Sequence, residues 1–346
     1  MTIQQQIEAL ETMPLLGSSR TEALKIVEKL AQEIDPKTNP QLSLRVLIVR
    51  FLALPTSSEA LDQLSTAEAW ATSEGLTDIA TKLQLMWCAS VARTAPEAVQ
   101  EDVLRQALKV AEILPELEVE NLLAKAACEP DHTDTHLRAA LSKMNSPRFA
   151  SQKVQAWLDL SDMLIKGADL IGAKEALDAA LALSREFEDT EIQIQVLMRL
   201  ALQYLERGLA PKAKGLFEDA LSLSQRDQRD LHTVTNASIL CAIYLENGQY
   251  DAASKTADLL LIAGARRGNW FAVIDGHITH STVHLESADP AGAINRLVRA
   301  AVHLRELVPA AAINLLKGRL AELRFTLGAK DFDRHYRAAI EEHPSD

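Results

Sequence analysis

The feature that most constrains the fold is a small–large–small triplet that returns every 40 residues. Ala173, Leu177 and Ala180 form one copy; Ala213, Phe217 and Ala220 the next; Ala293, Leu297 and Ala300 another, with Ala253 and Ala257 in the period between. Spacing of i, i+4 and i+7 places all three on one face of a helix. Small residues on that face let a second helix approach closely. One helix pair cannot bury such a face alone, so copies must stack on their neighbours. The expectation is an all-α chain, an α-solenoid that winds as a right-handed superhelix of about seven or eight antiparallel helix pairs.

Composition agrees with a core of this kind. Apolar residues make up 47% of the chain and aromatics only 4%, so the interior must be built from Ala, Leu, Ile and Val. A net charge of −12 argues against a general nucleic-acid binder, which needs surplus Lys and Arg for phosphate contacts. The charge is uneven: residues 1–146 carry 13 basic and 21 acidic side chains, and residues 265–337 carry 11 and 7. Cys88, Cys128 and Cys241 are too widely spaced for a disulfide framework or a cysteine zinc site, which suggests a reducing compartment. The opening residues show neither the basic nor the apolar region of a signal peptide, and no apolar run approaches the roughly 20 residues that span a bilayer. The expectations are a cytoplasmic protein with no membrane insertion, no nucleic-acid partner and no cofactor.

Along the chain, apolar periodicity predicts helices over 3–11 and 21–34, with a turn at 14–19 between them and a break at 35–40. The array then begins at Gln41. Ser57 or Ser58 caps a helix carrying Ala60, Leu64 and Ala67, after a helix that ends at Leu54 and Pro55. Helices at 77–93 and 96–114 pair, with Pro96 in a first turn, and a degenerate pair follows at 116–128 and 131–143. Asn145, Ser146 and Pro147 mark residues 144–149 as a boundary. It divides divergent N-terminal repeats (1–146) from regular repeats with a C-terminal capping helix (147–346), unless one solenoid runs throughout. Regular pairs are expected at 151–166 with 169–187, 189–206 with 209–225, 228–246 with 249–266, 269–286 with 290–307, and 309–327 with 330–342. Gly167, Gly208, Gly248 and Gly328 are placed to end helices in a left-handed cap, with Asp289 in the one exception.

These pairs resemble tetratricopeptide (TPR) repeats. Trp157, Leu160, Ser161 and Leu164 precede Ala173, Leu177 and Ala180 at TPR offsets. Leu197, Leu200, Ala201 and Tyr204 precede the Ala213 set in the same way, and Ala237, Leu240, Cys241 and Tyr244 precede Ala253 and Ala257. The period of 40 in place of about 34, and the missing terminal proline, imply longer helices, as in extended TPR-like arrays of bacterial regulators. The resemblance implies a fold and a mode of action, capture of a partner, but no particular partner.

If the offsets hold, the first helices of successive pairs line a concave groove with Gln155, Leu158 and Asp162; Gln195, Met198 and Leu202; and Thr235, Ser238 and Ala242. That mixture suits a peptide or helix better than a phosphate, against the plainer reading of ordinary surface. The oddest stretch is 270–284, where His277, His280 and His284 share a helix face near Trp270 and Asp275. Buried histidines making hydrogen bonds are the plain reading, a pH-sensitive ligand site the sharper one. Metal is disfavoured, because one helix rarely aims three imidazoles at one ion. Arg296, Arg299, Arg319 and Arg324 form a basic patch, read either as a solvated face paired with Glu306, Glu322, Asp331 and Asp333 or as a dock for an acidic partner. Arg266 and Arg267 suit a helix C-terminus. Cys88 and Cys241 read as small core residues, and Trp70, Trp87 and Trp157 as packing residues. No phosphate loop, GxSxG or paired-carboxylate motif is present, so no enzymatic activity is expected. The function expected is an adaptor, scaffold or regulator that binds a protein or peptide. The alternatives are a ligand- or metal-responsive regulator and self-assembly as a homodimer.

Overall fold

The computed structural model describes residues 1–54, 57–94, 101–305, 307 and 309–343. The expected roles of Pro55, Pro96 and Glu306 lie outside these residues. Among the described residues the chain forms eighteen α-helices and no strand. It divides into two compact units, Met1–Val196 and Leu197–Asp346.

The first unit contains α1 (Ile3–Thr12), α2 (Gly17–Glu33), α3 (Pro40–Ala53), α4 (Ser58–Ser73), α5 (Thr77–Thr94), α6 (Glu101–Ala111), α7 (Glu118–Cys128), α8 (Thr133–Lys143), α9 (Ala150–Lys166) and α10 (Leu170–Glu186). Helix α11 (Thr190–Glu206) begins in it and ends in the second unit. There follow α12 (Ala210–Arg226), α13 (Asp230–Glu246), α14 (Tyr250–Arg267), α15 (Trp270–Glu286), α16 (Pro290–Leu304), α17 (Ala310–Leu327) and α18 (Ala329–Glu342).

The triplet residues sit where helices cross. Ala173, Leu177, Ala180, Ala213, Phe217, Ala220, Ala253, Ala257, Ala293 and Leu297 are all 0% exposed. The same contact recurs one period apart: Ser281 Oγ donates to the Ala293 carbonyl at 3.0 Å, and Cys241 Sγ lies 3.8 Å from the Ala253 carbonyl. A small polar group on the first helix of a pair therefore meets the exposed-by-alanine backbone of the second.

The 40-residue period resolves into two pulses of 20. Helices start at 170, 190, 210, 230, 250, 270, 290 and 310. Between them Ala168, Glu188, Gly208, Gln228, Gly248, Gly268 and Ala288 all hold φ between 51° and 70°. In each turn the next amide donates to the carbonyl five residues back at 2.7–2.9 Å, the Schellman arrangement that satisfies helix-end carbonyls. The donor of that bond is also the N-cap of the following helix. Asp169, Asp189, Asn269 and Asp289 then use their side chains to accept the N–H groups of Gly172, Ile192, Ala272 and Gly292.

Three of the cap expectations are corrected here. Gly167 has φ −80°, and its neighbour Ala168 takes the left-handed position. Gly328 has φ 81° but ψ 146°, a positive-φ conformation outside the left-handed helical region. Asp289 does not replace a glycine; Ala288 holds the left-handed position and Asp289 caps α16. Non-glycine residues tolerate this conformation at roughly 1–2 kcal/mol each, which the paired carbonyl bonds offset.

The first unit is less regular and closes on itself. Helices α7 and α8 have 11 residues each, and one-turn 3-10 helices at Pro115–Leu117, Pro130–His132 and Pro147–Phe149 lead into α7, α8 and α9. The segment 144–149 lies inside this unit, with Met144 1% exposed in one core with Leu137 and Leu160. Contacts skip along the chain: α3 touches α9, and α1 touches the turn Pro147–Phe149. Helix α2 begins at Gly17, four residues before the expected start, because a distant residue supplies its cap. Leu16 offers no side chain for that role, and the Asp189 carboxylate accepts the Gly17 N–H at 2.9 Å and pairs with Arg20. Gly17 is required twice over: its φ is +55°, and a Cβ there would sit 1.8 Å from the Phe187 carbonyl oxygen.

Candidate functional site

The second unit carries a cleft of about 340 Å3 formed by the first helices of successive pairs, α13, α15 and α17. Ile274 and Ile278 of α15 line it beside Val234 of α13 and Leu315 of α17. Phe271 and Leu315 are 54% and 48% exposed, and Leu231, one period before Phe271, is 52% exposed. Large apolar side chains left in water along one face are what a binding groove presents. A polar pair sits among them: Ser238 Oγ donates to Asp275 Oδ2 at 2.5 Å. Farther along the same helices, Arg319 of α17 donates to Thr282 Oγ1 of α15 at 3.2 Å and pairs with Glu322 at 2.7 Å.

Of the expected groove residues, Ser238 lines this cleft. Thr235 is half-buried and spends its hydroxyl on the Leu231 carbonyl, and Ala242 is exposed outside the lining. Met198 is partly buried against the α11–α13 core, while Leu202 is 45% exposed. In the first unit Leu158 is corrected to core, at 1% exposure. Gln155 is half-buried and donates to Asp159 at 2.7 Å, Asp162 is half-buried, and Gln195 donates to Glu191 at 3.1 Å. Phe271, Ile274, Ile278 and Leu315 were missed. The signal was present: adding 40 to Leu231, Val234 and Ser238 gives Phe271, Ile274 and Ile278.

The histidines point in different directions and do not converge. His280, 9% exposed, faces α14, with Nε2 2.9 Å from Asp258 Oδ1 and Nδ1 3.2 Å from Ser254 Oγ. His284 Nδ1 lies 3.0 Å from Asp289 Oδ2. His277 faces α16, where its Nδ1 and the Nε of Arg296 are both buried without a hydrogen-bond partner. Burial, followed by the positive charge of Arg296, pushes the His277 pKa down to about 4, so the ring is neutral at pH 7. Burial and Arg296 also lower His280, against the pull of Asp258. Among the described residues no group of three His, Cys, Asp or Glu side chains is placed to hold a metal. Asp275 is corrected from this cluster to the cleft, and Trp270 is half-buried against the α15–α17 core.

The basic patch splits as well. Arg324 pairs with Asp333 at 3.2 Å and Arg334 with Asp331 at 3.4 Å, while Arg299 is exposed. All three cysteines are pushed upward chiefly by burial, Cys88 and Cys241 to about 12 and Cys128 to about 11, which makes them inert thiols. Helix α18 packs on α16, with Phe332 and Ala339 buried in a core shared with Leu297 and Val298. No helix among the described residues is long and apolar enough to cross a membrane.

Antiparallel pairs stacked through alanine crossings, with the first helices left to line a cleft, define an all-α solenoid of TPR-like helical repeats. Among solved structures, the apo form of RapI is similar at 14% identity over 81% of this chain and 92% of its own, with a TM-score of 0.53. A Rap protein complexed with competence and sporulation factor matches 98% of both chains at 14% identity and a TM-score of 0.49. BtubC from P. vanneervenii matches 94% of this chain and 93% of its own at 16% identity and a TM-score of 0.37. The first likeness shows the fold alone, and the other two are too distant to carry an argument. No protein-family model matches the chain, and no curated protein does.

Proposed function

We propose that this chain is a non-enzymatic interaction protein, an adaptor or regulator, that holds a peptide segment or helix of a protein partner in the cleft of α13, α15 and α17. The observation that carries the reading is the row of exposed apolar side chains, Leu231, Phe271 and Leu315, bordering a cleft lined by Ile274 and Ile278. Apolar anchors of the ligand would enter between them and supply most of the affinity. Ser238 Oγ and the Asp275 carboxyl oxygens would fix its register by accepting backbone N–H groups. The test is selection from a random peptide library on the full chain, followed by affinity measurement with Phe271→Asp and Ser238→Ala. Enriched sequences should share apolar residues at helical or alternating spacing and lose about tenfold or more in affinity to Phe271→Asp. Enrichment of nothing, or equal binding by the variant, would falsify the reading.

A second reading is favoured by the orphaned polar atoms of His277 and Arg296: a small ligand seated between α15 and α16 that stiffens this part of the array. A melting temperature that citrate raises in the natural chain but not in Arg296→Leu supports it, and identical curves remove it.

A further inference from the structure

A cavity of about 380 Å3 lies wholly within the first unit, where α1, α3, α5, α7 and the start of α9 face one another. It is separate from the cleft proposed for peptide capture, and its chemistry differs. Ile48, Val49, Leu52, Ile79, Leu117 and Phe149 give it apolar walls. Among them stands Glu120, only 5% exposed. Its Oε1 is held by Lys82 Nζ at 3.1 Å, but Oε2 is buried with no hydrogen-bond partner. Arg45, another donor in the lining, is committed to both oxygens of Glu11 at 2.8 and 2.6 Å.

A buried carboxylate oxygen without a donor is unfavourable by roughly 1–3 kcal/mol or more, and such groups are normally satisfied. What is missing is therefore a donor, which excludes an anion as the group that meets Glu120. Charge points the same way. The lining holds four carboxylates (Glu11, Asp78, Glu116, Glu120) against three cations (Arg45, Lys82, Arg148), a net of −1. Arg148 is exposed at the edge, with its guanidinium 4.4 Å from the centre of the Phe149 ring. The volume suits a small organic molecule and is far larger than a single water, which occupies about 30 Å3 of liquid.

We infer that this cavity binds an organic cation, an ammonium or guanidinium group on a short apolar stem, with its N–H donated to the Glu120 carboxylate and its stem against Ile48, Val49 and Ile79. The head group completes the coordination that Lys82 leaves half made. The stem replaces water on apolar walls.

The experiment is calorimetric titration of the full chain with butylammonium, agmatine and N-acetyl-arginine amide, with butanol as the uncharged control. The cations should bind saturably and butanol should not. Glu120→Gln, which keeps the shape and removes the charge, should weaken the cations about tenfold. Gln41→Trp, at the exposed edge of the cavity, should weaken them with the melting temperature unchanged, and it decides the matter alone if Glu120→Gln does not fold. Tighter binding of N-acetyl-arginine amide identifies the source as a peptide side chain; tighter binding of agmatine identifies a free amine. The inference is overturned if no cation saturates the site, which leaves water on Glu120, or if both variants bind as the natural chain does.

Discussion

The two compact units are made from the same kind of helix pair and are held together in different ways. In Leu197–Asp346 the helices keep a 20-residue pulse as far as α17, the turns from Gly208 to Ala288 repeat one another, and the core is a ladder of like crossings through Ala213, Ala253 and Ala293. In Met1–Val196 the helices vary in length, short 3-10 turns interrupt them, and contacts between α3 and α9 and between Gly17 and Asp189 bridge widely separated residues. Regularity and compactness are therefore separate properties. The second unit is stabilised by neighbours alone, and the first by neighbours plus ties across the array.

The largest test removes the biggest fully buried side chain of the regular unit. Phe217→Ala should destabilise that unit by about 3–5 kcal/mol, read by hydrogen exchange in α12–α14. Equal loss of protection in α3–α5 would show that the units do not behave independently. Next comes the tie itself. Asp189→Ala removes the acceptor of the Gly17 and Ile192 N–H groups and the ion pair with Arg20, an expected loss of about 2–3 kcal/mol. Its mark should be early exchange at the starts of α2 and α11; unchanged exchange at both would mean that packing, not the carboxylate, holds them.

A smaller effect separates the units by pH. His277 has a folded pKa lowered to about 4 from an ordinary 6.5, so the folded state prefers the neutral ring. Its contribution is intact above pH 6.5 and is lost as pH falls toward 4, because the unfolded chain takes up the proton first. Partial contact with water limits the effect to on the order of 1–2 kcal/mol. Urea midpoints at pH 7.5 and 5 should differ less for His277→Gln than for the natural chain. The smallest prediction concerns the turns. Ala288→Gly should raise stability by about 0.5–1 kcal/mol by relieving a left-handed alanine, and Gly248→Ala should lower it by a similar amount.

The regular unit was legible because its information is local. Alanine spacing gave every helix from α9 to α18 to within a few residues, and the small residues at crossings have no other use. The caps were legible only in part. Glycine marks a left-handed turn at Gly208 and Gly248, whereas Ala168, Glu188, Gln228 and Ala288 adopt that conformation under the pull of two carbonyl bonds. The cleft was half visible. Ser238 lies on the cleft face in the repeat frame, and Phe271, Ile274 and Ile278 obey the same frame on a helix whose histidines face elsewhere. The repeat frame marks Asp189 as a helix cap, but nothing in the sequence marks its tie to Gly17 or the place of Glu120. Their significance arises from residues more than thirty positions away, Lys82 for one and Gly17 for the other, and such pairings leave no periodic trace.

The Gly17–Asp189 tie also bears on how the chain reaches its fold. A helical-repeat protein has mostly short-range contacts and can fold by zipping from any pair. This tie joins residues 172 apart, so it forms only after everything between them has been made and ordered. Until then Leu10, Leu15 and Leu16, which are nearly inaccessible in the finished structure, belong to a segment whose docking surface is incomplete. On a ribosome the first helices emerge well before their anchor. Helices α1 and α2 are thus synthesised well before their anchor and secured late, and during that interval their apolar faces are open to a chaperone or to a wrong partner.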